Sequence, residues 1–336
     1  MGRVLVIGSG NPVTHTIVDL LSTAGVPVEF AAGPVAALKC MRARSFAITI
    51  TSPSTSIDED LALFNEMRLI RPGIKCVVLA PHSTPQEIIA ALRARVFACF
   101  TAPFDAPAIA TIAREAASGG LADDDIHLIS ARPGWVTVRA NCRLLTAERL
   151  MSFARELSSQ MQDDMRDAIL VSFREIVLNA MDHGAAFNPE QMIEVTAIRT
   201  RRSFVFYVHD PGSGFRQEPP GTDRIADPTD GLIANLAVDD FISDLTDELT
   251  NPTDNIIAHI RRREEKGLPP GGFGLLLARG AVDELLYNEI GNEVLLIKYI
   301  DRAPAHSKRS TRTLVCCAAA MQEELCRAKD TQQDRE

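Results

Sequence analysis

Glu175, Asn179 and His183 recur every four residues within Arg174-Glu-Ile-Val-Leu-Asn-Ala-Met-Asp-His-Gly184. A helix through this stretch stacks a carboxylate, a neutral amide and an imidazole along one face. A side-chain amide offers a hard oxygen to a magnesium ion, and a carboxylate one turn away can take a proton from a hydroxyl or a water. Later in the chain, a run of alternating apolar and polar residues ends in Asp210-Pro-Gly-Ser-Gly-Phe215. The carboxylate there can accept a hydrogen bond from the exocyclic amine of a purine. Gly212 and Gly214 let backbone approach a flat ring, because no Cβ stands in the way. Farther on, Leu268-Pro-Pro-Gly-Gly-Phe-Gly-Leu-Leu-Leu-Ala-Arg279 passes from glycines into an apolar helix. The N–H groups of Gly271, Gly272 and Gly274 then lie at a helix N-terminus, where anions bind. Each stretch also has a plainer reading: the wet face of an amphipathic helix, an Asp-Pro-Gly turn, and a glycine-rich helix start without the Gly-Lys-Ser/Thr of a P-loop.

The elements that would position these groups are legible. Ala168, Ile169, Val171, Ser172, Ile176, Val177 and Ala180 predict one buried helical stripe, with Gly184 as a left-handed cap at its end. Strands are expected at 126–130 and 135–139 around a turn at Arg132-Pro133-Gly134, then at 191–199 and 203–209. A helix near 146–160 precedes the long one. Residues 282–287 and 292–300 read as two strands joined by a hairpin turn at Glu289–Gly291.

A Glu-x-x-x-Asn helix, a strand-end Asp-x-Gly-x-Gly and a Gly-Gly-x-Gly helix, in that order, resemble the Bergerat-fold (GHKL) ATPase family over residues 132–301. Within it the spacing Glu175-x3-Asn179-Ala180-x2-His183, and the ending Val-Asp-Glu-x-x-Tyr then Gly-Asn-Glu-Val, are most similar to the anti-sigma-factor serine kinases of the RsbW and SpoIIAB type. The resemblance implies ATP and magnesium (Mg2+) as cofactors. It assigns Asn179 to the metal, Asp210 to the adenine amine, Gly212 and Gly214 to the base pocket, and Gly271, Gly272 and Gly274 to the phosphates. Glu175 would be the catalytic base. Asp182 and His183 fall among the cofactor-binding positions, His183 in a packing or outer role. Where many relatives hold the base with a threonine near the last strands, this chain has Asn292-Glu293, and no arginine or lysine clamp is evident beyond Arg279.

The first third reads differently. β runs at Val4–Ile7, Val28–Phe30, Ala47–Thr51, Cys76–Ala80 and Ala98–Thr101 alternate with helical patterns near 14–23, 34–43, 58–69, 85–95 and 106–117. Five βα units imply a parallel sheet covered on both faces. The stretch resembles the receiver domain of response regulators, with the phosphorylation site stripped of its charges. Its matching positions are Gly8-Ser9, Ser52 (or Thr51), Ala80 and Ala102-Pro103. Such a site offers neither carboxylates for a metal nor an aspartate to phosphorylate, so the expectation is a pseudo-receiver used for docking or dimerisation. Asp58, Glu59 and Asp60 read as complements to a helix dipole.

The fold class expected is therefore α/β: a flavodoxin-like parallel-sheet domain (1–118), a linker (119–131), and an α+β two-layer GHKL ATPase domain (132–302) with an enlarged ATP lid (216–270). A polar tail, partly disordered, follows (303–336). In the lid, helices are expected near 233–245 and at 255–266. With 336 residues there is room for two cores. A composition of 46% hydrophobic and 24% charged residues fits a soluble protein. A net charge of -9 argues against nonspecific nucleic-acid or anionic-membrane binding. Seven cysteines without CxxC spacing, and no apolar run of membrane length, point to the cytoplasm. The functional expectation is an ATP-dependent serine/threonine protein kinase of a partner-switching pathway. Its partners would be an anti-sigma-factor antagonist, a sigma factor, or both, with a homodimer possible. The alternatives are an ATP-sensing module without transfer and a histidine-kinase-like protein; for the latter, the helix ahead of the ATPase motifs carries no histidine.

Overall fold

Short apolar runs alternate with capped helices from residue 4 to residue 117, and that alternation dictates the first layer arrangement. The computed structural model describes residues 2–8, 10–118, 125–214 and 273–300. The lid with its expected helices, Gly271, Gly272 and the tail lie outside them. The chain divides into two compact units, Met1–Gln160 with Phe187–Ile198, and Met161–Ala186 with Arg199–Glu336.

In the first unit, β1 (Val4–Ile7), β2 (Val28–Ala31), β3 (Ile48–Ile50), β4 (Lys75–Ala80) and β5 (Ala98–Thr101) form a parallel sheet in the order β2-β1-β3-β4-β5. That is the flavodoxin-like order. Every residue of β1 and β3 is buried, as strands covered on both faces require. Helices α1 (Pro12–Thr23), α2 (Pro34–Ala43), α3 (Ile57–Ile70), α4 (Pro85–Arg93) and α5 (Ala106–Ala117) alternate with the strands. Their starts are chemically marked: α3 and α4 carry capping boxes, Ser56 with Glu59 and Thr84 with Glu87.

Of the three acids at the start of α3, Asp60 departs from expectation. It is not a solvent-facing dipole complement but a buried carboxyl, 2% exposed, accepting from Thr51 Oγ1 at 2.6 Å and Thr55 Oγ1 at 2.8 Å. Thr51 Oγ1 in turn accepts the Leu79 N–H at 3.0 Å, which ties α3 to the ends of β3 and β4. Burial pushes the Asp60 carboxyl from 3.8 up to about 6, against the two hydroxyl donors. Below pH 3.8 the group is protonated folded or unfolded. As pH rises toward 6 the unfolded chain ionises first and stability is lost, and above that the fold carries a buried charge. A shift of roughly two pH units corresponds to about 3 kcal/mol. Urea unfolding from pH 4 to pH 7 should therefore show Asp60→Asn gaining on the native chain as pH rises. A constant offset between the two would refute the assignment.

The same unit contains α6 (Leu144–Leu157), whose Glu156 is 1% exposed. Glu156 accepts from Ser83 Oγ (2.8 Å), Thr101 N–H (3.0 Å) and Thr101 Oγ1 (2.8 Å). Arg149, equally buried, donates from Nε to the Phe97 carbonyl at 2.7 Å and lies 3.9 Å over the Phe97 ring. Buried polar groups are tolerated where they are hydrogen-bonded, so Glu156 ties α6 to the loop after β4 and to the last residue of β5, and Arg149 ties it to the residue that precedes β5. Strands β6 (Ile126–Arg132), β7 (Trp135–Asn141) and β8 (Met192–Arg199) complete the unit. β7 pairs antiparallel with both neighbours, Val138 facing Leu128 and Val195.

In the second unit, α7 (Asp163–Asp182) and α8 (Phe273–Ala281) cover β9 (Ser203–His209), β10 (Glu284–Tyr287) and β11 (Glu293–Tyr299). β11 pairs antiparallel with β9 and β10, bringing Val294 opposite Val208 and Leu296 opposite Phe206. Burial alternates along β9, with Phe204, Phe206 and Val208 inside. The buried stripe of α7 is wider than expected: Leu170, Phe173 and Met181 join it, and Val171 is only half-buried. The reason is the aromatic layer beneath, since Phe173 stacks on Phe206 with ring centroids 4.0 Å apart. Ser172 Oγ donates to the Ala278 carbonyl at 2.9 Å, fixing α8 against α7. β10 begins at Glu284 rather than at Val282; Asp283, just before it, donates its N–H to the Ile297 carbonyl at 3.0 Å and accepts the Tyr299 N–H on its carboxylate at 2.6 Å.

Candidate functional site

β9 delivers Asp210 to the end of α7. Its own N–H donates to the Asn292 carbonyl at 3.0 Å, which continues the β9–β11 ladder by one residue. Oδ1 accepts the Gly212 N–H at 2.8 Å, the local closure that Asp favours in turns. Oδ2 has no hydrogen-bond partner among the described residues. Burial pushes the Asp210 carboxyl up, opposed by the Gly212 N–H and by His209. A half-dehydrated carboxylate with one open oxygen is suited to a single strong donor.

Gly184 is where α7 meets this carboxylate. The helix closes at His183 with φ -78° and ψ -35°, and Gly184 is not left-handed. The positive φ values fall later, at Ala186 and Phe187. The expectation of a left-handed glycine cap is thus corrected, and glycine is required for another reason. A Cβ at 184 would stand 2.5 Å from both the Ala180 carbonyl oxygen and Asp210 Cγ, and inside hard contact of Asp210 Oδ1. Gly214 does need its freedom: φ is +71°, and a Cβ would lie 2.7 Å from the Ile290 carbonyl carbon, nearer still to its oxygen.

From that end, α7 carries the remaining groups backwards along its axis. Asn179 and Glu175 are half-buried, Asp182 and His183 exposed. The Asn179 main-chain carbonyl accepts the His183 N–H at 2.8 Å, which carries the helical hydrogen bonding to the cap of α7. Burial pushes the Glu175 carboxyl up, opposed by Arg174, whose Nη1 lies 3.8 Å away. At a rise of about 1.5 Å per residue, Gly184 and Glu175 are roughly 13 Å apart. An elongated ligand whose amine meets Asp210 would run past Asn179 toward Glu175.

Among the described residues no three His, Cys, Asp or Glu side chains converge on a possible metal position. Asn179 is a lone amide donor, which fits a magnesium ion that brings phosphate and water ligands with it. Gly274 lies in the first turn of α8, the helix packed on α7. Arg279 is exposed in the last turn of that helix, away from its N-terminus. Asn292, which departs from the threonine of the related pattern, turns its amide to the site loop, with Nδ2 donating to the Gly212 carbonyl at 3.4 Å. Sequence reasoning missed Asn288, whose side chain organises the β10–β11 turn; an Asn opening a hairpin turn was the available signal.

Residues 138–298 match the family model of the histidine kinase-like ATPase domain, which supports ATP binding and a regulatory role. No curated protein matches the chain. Among solved structures, the chain is similar to a response regulator receiver domain protein (CheY-like) from Methanospirillum hungatei JF-1. The two are 18% identical over 35% of this chain and 94% of that one, with a TM-score of 0.32. A response regulator from Thermotoga maritima is also 18% identical, over 35% and 99% of the two chains, with a TM-score of 0.32. Among the described residues no helix is long and apolar enough to cross a membrane.

Proposed function

We propose that the second unit binds ATP with magnesium and that the chain is a serine/threonine protein kinase of the anti-sigma-factor type, acting on an antagonist protein. The observation that carries this reading is the Asp210 carboxylate. It is half-buried, held on one oxygen by Gly212 and open on the other, at the end of the helix that presents Asn179 and Glu175. Asp210 accepts a hydrogen bond from the 6-amino group of adenine, and Gly212 and Gly214 admit the ring. Asn179 offers its amide oxygen to magnesium, which when bound neutralises charge on the phosphates. The glycines ahead of α8, Gly271 and Gly272, and Gly274 within it, receive those phosphates on backbone N–H groups. Glu175, made more basic by burial, takes the proton of the partner's hydroxyl. The parallel-sheet domain, lacking an aspartate to phosphorylate, serves as a docking or dimerisation element in the cytoplasm, and a sigma factor is a second partner.

One observation favours a module that senses ATP without transferring phosphate. The one basic residue considered for a phosphate clamp, Arg279, lies at the wrong end of α8. Glu175→Gln separates the readings. With labelled ATP, magnesium and a candidate antagonist, the native protein should label the antagonist. The variant should bind ATP about as well and transfer roughly 10²-fold more slowly or worse. Undiminished transfer by the variant would remove Glu175 as the base, and no label from the native protein, with ATP binding intact, would leave the sensing module.

A further inference from the structure

The β10–β11 turn meets the Asp210–Gly214 loop at three places. The Asn292 carbonyl accepts the Asp210 N–H at 3.0 Å. The Asn292 amide donates to the Gly212 carbonyl at 3.4 Å. The Ile290 carbonyl occupies the space beside Gly214 that a Cβ would need. One residue shapes all three. Asn288 Oδ1 accepts the N–H groups of Gly291 (2.7 Å), Asn292 (3.1 Å) and Glu293 (3.2 Å). Its Nδ2 donates to Asn292 Oδ1 at 2.9 Å, which orients that amide with its nitrogen toward Gly212.

We infer that Asn288 is a positioning residue for the base pocket: through Asn292 it fixes the loop that aims Asp210, and so sets the preference for adenine over guanine. The inference rests on the ATP reading of the same site. The physical reason is directional. A carboxylate rewards an amine and repels the carbonyl that guanine presents at the same ring position, but only if its open oxygen is held in line with the ring edge. A loop free to shift by a fraction of an ångström can re-aim that oxygen. Asn288 is half-buried and contacts no proposed ligand position itself, so its effect must pass through the turn.

Two substitutions divide its roles. Asn288→Asp keeps an oxygen to accept the three N–H groups but loses the donor to Asn292; Asn288→Ala loses both. Calorimetric titration with ATP and with GTP, alongside thermal unfolding, gives the readouts. The native protein should prefer ATP. Asn288→Asp should unfold near the native temperature while its ATP affinity drops about tenfold, the worth of one directed hydrogen bond, with GTP affinity little changed. Asn288→Ala should lose more of the preference and some thermal stability. A variant that unfolds earlier yet keeps the native ATP-to-GTP ratio would overturn the inference and leave ATP binding standing. A native protein that binds neither nucleotide would overturn both.

Discussion

Asp210→Asn is expected to abolish ATP binding at concentrations that saturate the native protein, while the fold stays intact. The hydrogen bonding dictates which way the new amide faces. The Gly212 N–H, 2.8 Å from Oδ1, needs an acceptor, so the asparagine oxygen takes that place and its NH₂ falls where the open carboxylate oxygen stood. A donor then confronts the adenine amine, itself a donor. Losing a hydrogen bond to a charged group costs roughly 1.5–3 kcal/mol, and burying an unsatisfied donor about 1–3 kcal/mol more. Together these weaken ATP on the order of 10²-fold to 10⁴-fold. Folding itself should not suffer, because burial already works against the charge. The same shift fixes the sign of the pH dependence. As pH falls, titration of the native protein should show ATP affinity being lost above the ordinary aspartate range, where a solvent-exposed aspartate would still be ionised.

The second large effect is expected at Gly184→Ala. The added methyl would meet the Ala180 carbonyl oxygen at 2.5 Å, within the helix's own last turn, and the Asp210 carboxylate on the other side. Neither is the free end of a long side chain. The helix end or the β9 loop must move, and overpacking of this kind costs roughly 1–3 kcal/mol. Whichever gives way, Asp210 shifts away from Asn179 and Glu175. The variant should therefore unfold at a lower temperature and also bind ATP at least tenfold more weakly, a penalty of about 1.4 kcal/mol. Native-like affinity in a folded variant would show that Gly184 does not set the position of the carboxylate.

Much of this was open to reading from the chain because local chemistry and tertiary packing agree. The period of two in β9 and the long apolar stripe of α7 both survive folding. The exceptions arise where a residue answers to a distant neighbour. Phe173 lies inside because Phe206 lies beneath it, and Asp60 is buried because Thr51 and Thr55 supply donors. Gly184 is a glycine because of Asp210, not because of its own φ. Glu156 reads as one more polar residue of an amphipathic helix, and only the loops after β4 and β5 explain its burial. The order of the Glu, Asn, Asp and glycine positions was visible in one dimension. The part Asn288 plays in the hairpin beside them was signalled only by an Asn at the head of the turn, since its partners are set once β10 and β11 pair.

The central claim is that Asp210, the amide of Asn179 and the late glycines serve one adenine nucleotide. The most direct measurement is calorimetric titration of the native protein and of Asp210→Asn with ATP, each with and without magnesium. The account predicts saturable binding to the native protein that tightens when magnesium is present, and no measurable binding to the variant. Equal binding by both proteins, or none by the native one, would contradict it.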